Sequence, residues 1–398
     1  MPVKRYWASM WAVSVITLFL ARVSPADSPK RPKWSIDLVQ HGFHTYESGS
    51  EHDYTTLTKV AATETVIALG MMNLSPTSRL TRPYGDASKR WDLSLLFFDA
   101  KTGKLLAKRG PWRGDFAFTL FASSRENFIV RLWNYHGQEG KRGERLLLFS
   151  SGGEQITDLF MEAPATDQNA HEWLGLISPS RSTLLMEQLR GGGVYGEILD
   201  ANTLNKLSEW TDNRRDAPGI VDISDSHMLG VCDSANPGRA PMEESRNALC
   251  IRTFDGPWRP FSAYGGDHAF LSDEVVVRLE DLEKEHGFRL TEMQIDGTVL
   301  LSHTFQKRGY DLSSLTQITP SPDGRHFASV IVSLWWFWRE LDMGPEDIEL
   351  YIWVLNQPGP VLKVKLASQI DELSFSPDGT WLALEDGHTL RVIPLQSR

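Results

Sequence analysis

Cysteine is nearly missing from this chain. Only Cys232 and Cys250 occur in 398 residues, which excludes a disulfide-dense scaffold and a paired Cys-x-x-Cys metal site. Long like-charge blocks are also missing, and the formal net charge is −10. That balance removes the basic footprint needed for nonspecific nucleic-acid binding. Several signatures of chemistry are absent: the Gly-x-Ser-x-Gly elbow, His-Glu-x-x-His, the EF-hand loop and the P-loop. Gly191-Gly192-Gly193 lacks the Lys-Ser/Thr of a phosphate loop and reads as a hairpin turn. No catalytic residue, cofactor-binding residue or metal ligand is expected from these patterns, and no cofactor.

A comfortable membrane span is lacking too. The apolar run Ala8–Ala21 is short, follows Lys4 and Arg5, and precedes Ser24-Pro25-Ala26. A basic start, a short apolar segment and small residues at the cleavage position read as a secretory signal over 1–26. An uncleaved anchor is the alternative. No cysteine lies near the cleavage site, so a lipoprotein reading has no support. The expectation is an exported protein, periplasmic or extracellular, with a short polar lead at 27–33 and one domain at 34–398. Hydrophobic residues are 41% of the chain, enough for a packed core.

What the chain does have is a repeat. Ser321-Pro322-Asp323-Gly324 and Ser376-Pro377-Asp378-Gly379 each precede an apolar run, and they lie 55 residues apart. Pro presets φ for a turn, Asp bonds back to the backbone, and Gly supplies φ > 0. Weaker echoes extend the series to Ala62, Ser123, Ser178, Ser224, Ser272, Ser321 and Ser376, in steps of 61, 55, 46, 48, 49 and 55. A second signal recurs within most units: an apolar run, a tight polar turn and another apolar run. Ser94–Asp99, Lys101–Lys104 and Leu105–Ala107 show it most clearly.

Seven β-rich units at a near-constant period predict an all-β fold, a seven-bladed β-propeller of four-stranded blades. Six blades plus an irregular unit is the alternative. The last unit ends after Leu390–Ile393 with no fourth strand left, while a spare strand-like run, Trp34–Val39, precedes the first unit. Pairing the two closes the ring and hides sheet edges. The Ser-Pro-Asp-Gly phrase before an apolar strand resembles the repeat of WD40-like and TolB-like propellers of bacterial exported proteins. It is strict in two units, partial at 178–181, and eroded elsewhere. The resemblance covers roughly residues 34–396 and implies fold well but function poorly.

Cys232 and Cys250 lie in consecutive apolar runs around the turn signal Asn236-Pro237-Gly238. If those runs are neighbouring antiparallel strands, an exported chain can close a disulfide worth roughly 3 kcal/mol. Two buried free thiols are the alternative. His41-x-x-His44, with His52 and Asp53, has ligand residue types, but a spacing of three on a strand sends the two imidazoles to opposite faces. Acid pairs such as Glu280-Asp281 read as a solvated loop.

Insertions recur between the second and third strands of the units: 73–90, 133–144, 191–193, 233–247, 279–288 and 336–347. Equivalent insertions emerge on one face, which is often the binding face. The most unusual carries Trp335-Trp336-Phe337-Trp338. Trp336 and Trp338 are candidate partner-binding residues, an aromatic ledge for a protein or glycan, or else core between blades. The leading functional expectation is a noncatalytic exported module that binds a protein or ligand. An enzyme with a channel-lining site, lactonase-like or quinone-dependent dehydrogenase-like, is the second. A structural module of an envelope assembly is the third.

Overall fold

The computed structural model describes residues 33–43, 56–74, 91–114, 116–136, 142–162, 173–190, 193–212, 218–240, 247–263, 265–282, 287–306, 317–333, 347–366, 370–386 and 388–395. A short strand, β1 (Trp34–Asp37), stands before the first repeat. Blade 1 holds β2 (Thr56–Ala62), β3 (Val66–Leu74), β4 (Trp91–Asp99) and β5 (Leu105–Gly114). Blade 2 holds β6 (Ala117–Ala122), β7 (Phe128–His136), β8 (Arg142–Phe149) and β9 (Gln155–Glu162). Blade 3 holds β10 (Trp173–Ile177), β11 (Thr183–Arg190), β12 (Gly193–Asp200) and β13 (Lys206–Asp212). Blade 4 holds β14 (Gly219–Ile223), β15 (His227–Asp233), β16 (Asn247–Thr253) and β17 (Arg259–Ala263). Blade 5 holds β18 (Asp267–Phe270), β19 (Val275–Leu282), β20 (Gly287–Gln294) and β21 (Val299–Gln306). Blade 6 holds β22 (Gln317–Pro320), β23 (His326–Ser333), β24 (Asp347–Val354) and β25 (Leu362–Leu366). Blade 7 holds β26 (Ile370–Phe375), β27 (Trp381–Asp386) and β28 (Thr389–Pro394).

Seven four-stranded antiparallel sheets result, and the seventh is completed by β1 against β28. The N-terminal strand therefore closes the ring as the strand count predicts. Trp34 stands opposite Val392 and Asp37 opposite Thr389. The strand ends at Asp37 rather than Val39. The Asp37 carboxylate accepts the Val39 N–H at 3.0 Å, which turns the chain into a short 3₁₀ helix, Leu38–His41, ended by Gly42 at φ +99°.

The cores lie between blades, which explains the continuous apolar runs. In β4, Leu95 and Phe97 pack toward blade 2, with Phe128 and Phe149. Leu96 and Phe98 pack the other way, with Ala383 and Val392 of blade 7. A strand covered on both faces has no reason to alternate polar residues. The outer strand β5 does alternate, half-buried with exposed.

Register corrects two repeat anchors by one residue. Ala62, Ala122, Ile177, Ile223, Phe270, Pro320 and Phe375 are the last paired residues of the innermost strands. The turn position that follows is Thr63 in blade 1, not Ala62, and Leu271 in blade 5, not Ser272. Thr63 does the job of a serine there: its Oγ1 and the Val66 N–H lie 3.1 Å apart. Leu271 has no hydroxyl and is simply buried.

β1 holds the seam partly through Trp34 and Ile36, which pack against the blade 7–blade 1 core, and through Trp34 Nε1 donating to the Ala100 carbonyl at 2.9 Å. Replacing Trp34 and Ile36 with Ala together is expected to cost about 2–4 kcal/mol. Urea unfolding measures it, and a loss below about 0.5 kcal/mol, the scale of an ordinary surface change, contradicts the packing described.

Candidate functional site

A four-strand meander puts its first and third turns at one end and its middle connection at the other. The ring therefore has a turn face and a connection face. On the turn face the buried hydroxyls staple the chain. Ser178 accepts the Thr183 N–H at 3.2 Å, Ser224 the His227 N–H at 3.0 Å, and Ser376 the Trp381 N–H at 3.1 Å. Asp323 accepts the N–H groups of Arg325 and His326 at 2.9 and 3.0 Å. Burial raises its carboxyl, but the His326 side chain and those two amides outweigh burial and hold it at about 2. The Pro-Asp-Gly acids are thus turn formers.

Other acids on this face reach the next blade. Asp225 accepts the hydroxyls of Ser180 and Ser182 at 2.8 and 2.6 Å. Asp273 accepts those of Ser224 and Ser226 at 2.6 and 2.7 Å. Glu292 of blade 5 accepts the Asn356 N–H of blade 6 at 2.8 Å, and Glu126 of blade 2 accepts the Thr65 hydroxyl of blade 1 at 2.6 Å. These four carboxylates tie neighbouring blades together.

On this face one buried side chain reaches from blade 3 to the seam. Arg181, in the first turn of blade 3, has φ +61° and is 8% exposed. Its guanidinium crosses the ring to the seam, donating to the Ala62 carbonyl of blade 1 and, at 2.7 Å, to the Phe375 carbonyl of blade 7. Burial pulls the guanidinium down to about 10. Beside it, Ser374 Oγ accepts the Ala62 N–H at 3.0 Å. Asp222 repeats that device one residue before the end of its own inner strand, accepting the Phe270 N–H at 2.6 Å. Burial pushes the Asp222 carboxyl up to about 7, against the pull of the Phe270 and Ile223 amides. Toward the connection face the inner strands expose Leu57 and Leu174, at 43% and 37%.

No family model and no curated protein sequence matches this chain. Among solved structures, the β-propeller domain of the Trilobed protease from Pyrococcus furiosus is similar at 12% identity with a TM-score of 0.51, covering 86% of this chain and 96% of that one. An uncharacterized protein from Listeria monocytogenes EGD-e aligns at 8% identity, TM-score 0.49, over 86% and 92%. The C-terminal WD40 domain of Sif2 aligns at 11% identity, TM-score 0.44, over 86% and 97%. The chain is a seven-bladed β-propeller. The Pyrococcus domain is described as having an open velcro topology, whereas here β1 closes the seam.

Within the propeller, Cys232 and Cys250 occupy β15 and β16 and are joined as a disulfide, with Cα atoms 6.0 Å apart. They are a diagonal pair: Cys250 stands opposite Gly230 and Cys232 opposite Ala248. Trp258 lies over Gly230, where a Cβ would meet its ring at 2.7 Å. Trp336 and Trp338 lie outside the described residues, as do His44, His52, Asp53 and Gly191-Gly192. His41 meets the edge of Phe98 at 5.4 Å. Glu280 pairs with Arg278 and Arg289 at 3.3 and 3.5 Å. Among the described residues no three His, Cys, Asp or Glu side chains group to hold a metal ion. The strands bordering the connections run further than the sequence suggests, β7 to His136 and β19 to Leu282. Arg181 and Glu187 are among the buried ionisable groups that sequence reasoning missed, together with Asp222, the Arg131–Glu144 pair, Glu292, Glu349 and Glu385. A charge inside or beside an apolar run was their only signal.

Asp222 gives a pH test. Its folded carboxyl keeps a proton that the unfolded chain releases near pH 4, roughly the reference aspartate value. Its stabilisation is complete below that pH and is lost as pH rises through about 7. Asp222→Asn is expected to flatten the fall in unfolding free energy between pH 5 and pH 8. Urea titrations across that range decide it, and a slope equal to the wild type's refutes the assignment.

Proposed function

We propose that this chain is an exported, noncatalytic β-propeller of the TolB-like kind that binds a protein partner through its connection face. The observation that carries the reading is how far the turn face is hydrogen-bonded to itself. The turn face is hydrogen-bonded to itself through Asp225, Asp273, Glu126, Glu292 and Arg181. The second strands end and the third strands begin at the opposite end of the blades, and in sequence the longest insertions, with Trp336 and Trp338, fall between them. A rigid ring presenting variable loops suits recognition. Export is supported by the signal-like segment 1–26 and by the Cys232–Cys250 bond, which persists in an oxidising compartment. The TolB-like assignment is supported by the two Ser-Pro-Asp-Gly turns.

Quantitative pull-down from an envelope extract tests this. Trp336→Ala with Trp338→Ala, and separately replacement of 75–90 by a two-residue Asn-Gly turn, are made beside a turn-face control, Lys101→Ala with Glu154→Ala. At least one connection-face variant is expected to lose capture of a protein by about tenfold or more, the effect of truncating an anchor aromatic, with unchanged melting temperature. The control keeps capture. Loss in the control alone, or capture of a glycan and no protein, overturns the proposal.

A further inference from the structure

At the interface of blades 3 and 4 two polar atoms are buried with no hydrogen-bond partner among the described residues. Glu187 on β11 stands opposite Leu174 on one side and Gly196 on the other. Gly196 in turn stands opposite Trp210 on β13. One row therefore crosses all four strands of blade 3: Leu174, Glu187, Gly196, Trp210. Glu187 shares its face with Leu185, which packs with Ile220, Ile223 and Met228 of blade 4, so the row fronts blade 4. Alternation along β15 turns Cys232 and Gly230 to the same interface as Met228.

Glu187 is 6% exposed, and its Oε2 is buried with no hydrogen-bond partner among the described residues. The Trp210 Nε1 is likewise buried and unpartnered. Gly196 makes the two neighbours. With no side chain there, the Trp210 indole lies over the strand and its Nε1 stands where a Cβ would be. Directly opposed Cβ positions lie about 5 Å apart, so the indole N–H and the base of the Glu187 side chain are separated by about that distance. Neither group bonds the other. Burial pushes the Glu187 carboxyl up to about 8. Leu174, at the inner end of the row, is 37% exposed, which opens the row toward the channel. At the outer end Trp210 and Trp258 flank Arg252, whose guanidinium lies 5.3 and 5.4 Å from their rings.

A buried polar group left unpaired costs free energy unless something else satisfies it. A single carboxylate does not make a divalent-metal site, which needs several ligands. An anion is repelled once the carboxyl ionises. A protonated amine does the reverse: it supplies the missing charge, returns Glu187 to the carboxylate and forms a charge-assisted hydrogen bond. The indole N–H needs an acceptor a few ångströms away, and the Leu174 and Trp210 side chains ask for an apolar body. We propose that the polar row at the interface of blades 3 and 4, entered past Leu174, binds a small ligand carrying a protonated amine beside a hydrogen-bond acceptor on an apolar body, with Glu187 receiving the ammonium and Trp210 Nε1 donating to the acceptor. This site is separate from the loop-borne partner surface, and either stands without the other.

L-Leucinamide is a probe of that chemistry: an ammonium, a carbonyl one carbon away and an isobutyl group. N-acetyl-L-leucinamide keeps everything except the ammonium. Titration calorimetry on the full chain at pH 7 is expected to show binding of the first and none of the second. Glu187→Gln, which keeps the shape of the neutral acid, is expected to weaken leucinamide binding about tenfold or more. Trp210→Phe removes the N–H donor and is expected to weaken it by a smaller factor, which keeps the test decisive if the Gln variant folds poorly. No leucinamide binding, equal binding of the acetylated probe, or undiminished binding by both variants overturns the site.

Discussion

Everything in this molecule depends on closing a ring of sheets whose ends are far apart in the chain. Each blade buries its two faces against its neighbours, so an open seam exposes two faces at once as well as a strand edge. Several contacts among the described residues close the seam. β1 pairs with β28, and the Trp34 side chain reaches the Ala100 carbonyl. From across the channel, Arg181 ties Phe375 and Ala62 together on the inner side. The outer and inner margins of one interface are thus held by residues from the N-terminus and from blade 3.

That arrangement also divides the labour between faces. Short turns and close blade packing let carboxylates such as Asp225 and Asp273 find hydroxyls one blade away. Such charge-assisted bonds are among the stronger polar contacts, but they leave those groups unavailable to a partner. The proposed recognition surfaces lie elsewhere, on the connection face and at the interface of blades 3 and 4. At the interface of blades 3 and 4 a glycine stands on each side, Gly196 and Gly230, each covered by a tryptophan.

The architecture was legible in the sequence because it is written locally and repeatedly. Turn, strand, hairpin and strand recur seven times, and the missing last strand pointed to Trp34 as its substitute. The repeat anchor slipped by one at Ala62 and Ser272 because Thr63 and Leu271 fill the buried turn position with residues the serine pattern does not capture. The interior chemistry was not legible for a different reason. Arg181 meets residues 119 and 194 positions away, and no local pattern encodes a contact across a ring. The Glu187–Gly196–Trp210 row depends on register, which a run such as Leu184–Glu187 does not reveal. The Cys232–Cys250 pairing sat between these extremes: consecutive apolar runs and a turn signal placed the strands, while the diagonal pairing depended on register.

Native-state hydrogen exchange on the wild type and on Arg181→Met tests the claim that the seam is one cooperative unit held from both sides. In the wild type, the amides of β1, β28, β26 and β2 are predicted to exchange with the free energy of global unfolding. In Arg181→Met they are predicted to lose protection together, while β19 and β20 of blade 5 stay at the global value. Fast exchange of β1 in the wild type, or loss confined to the turn around residue 181 in the variant, would contradict the account.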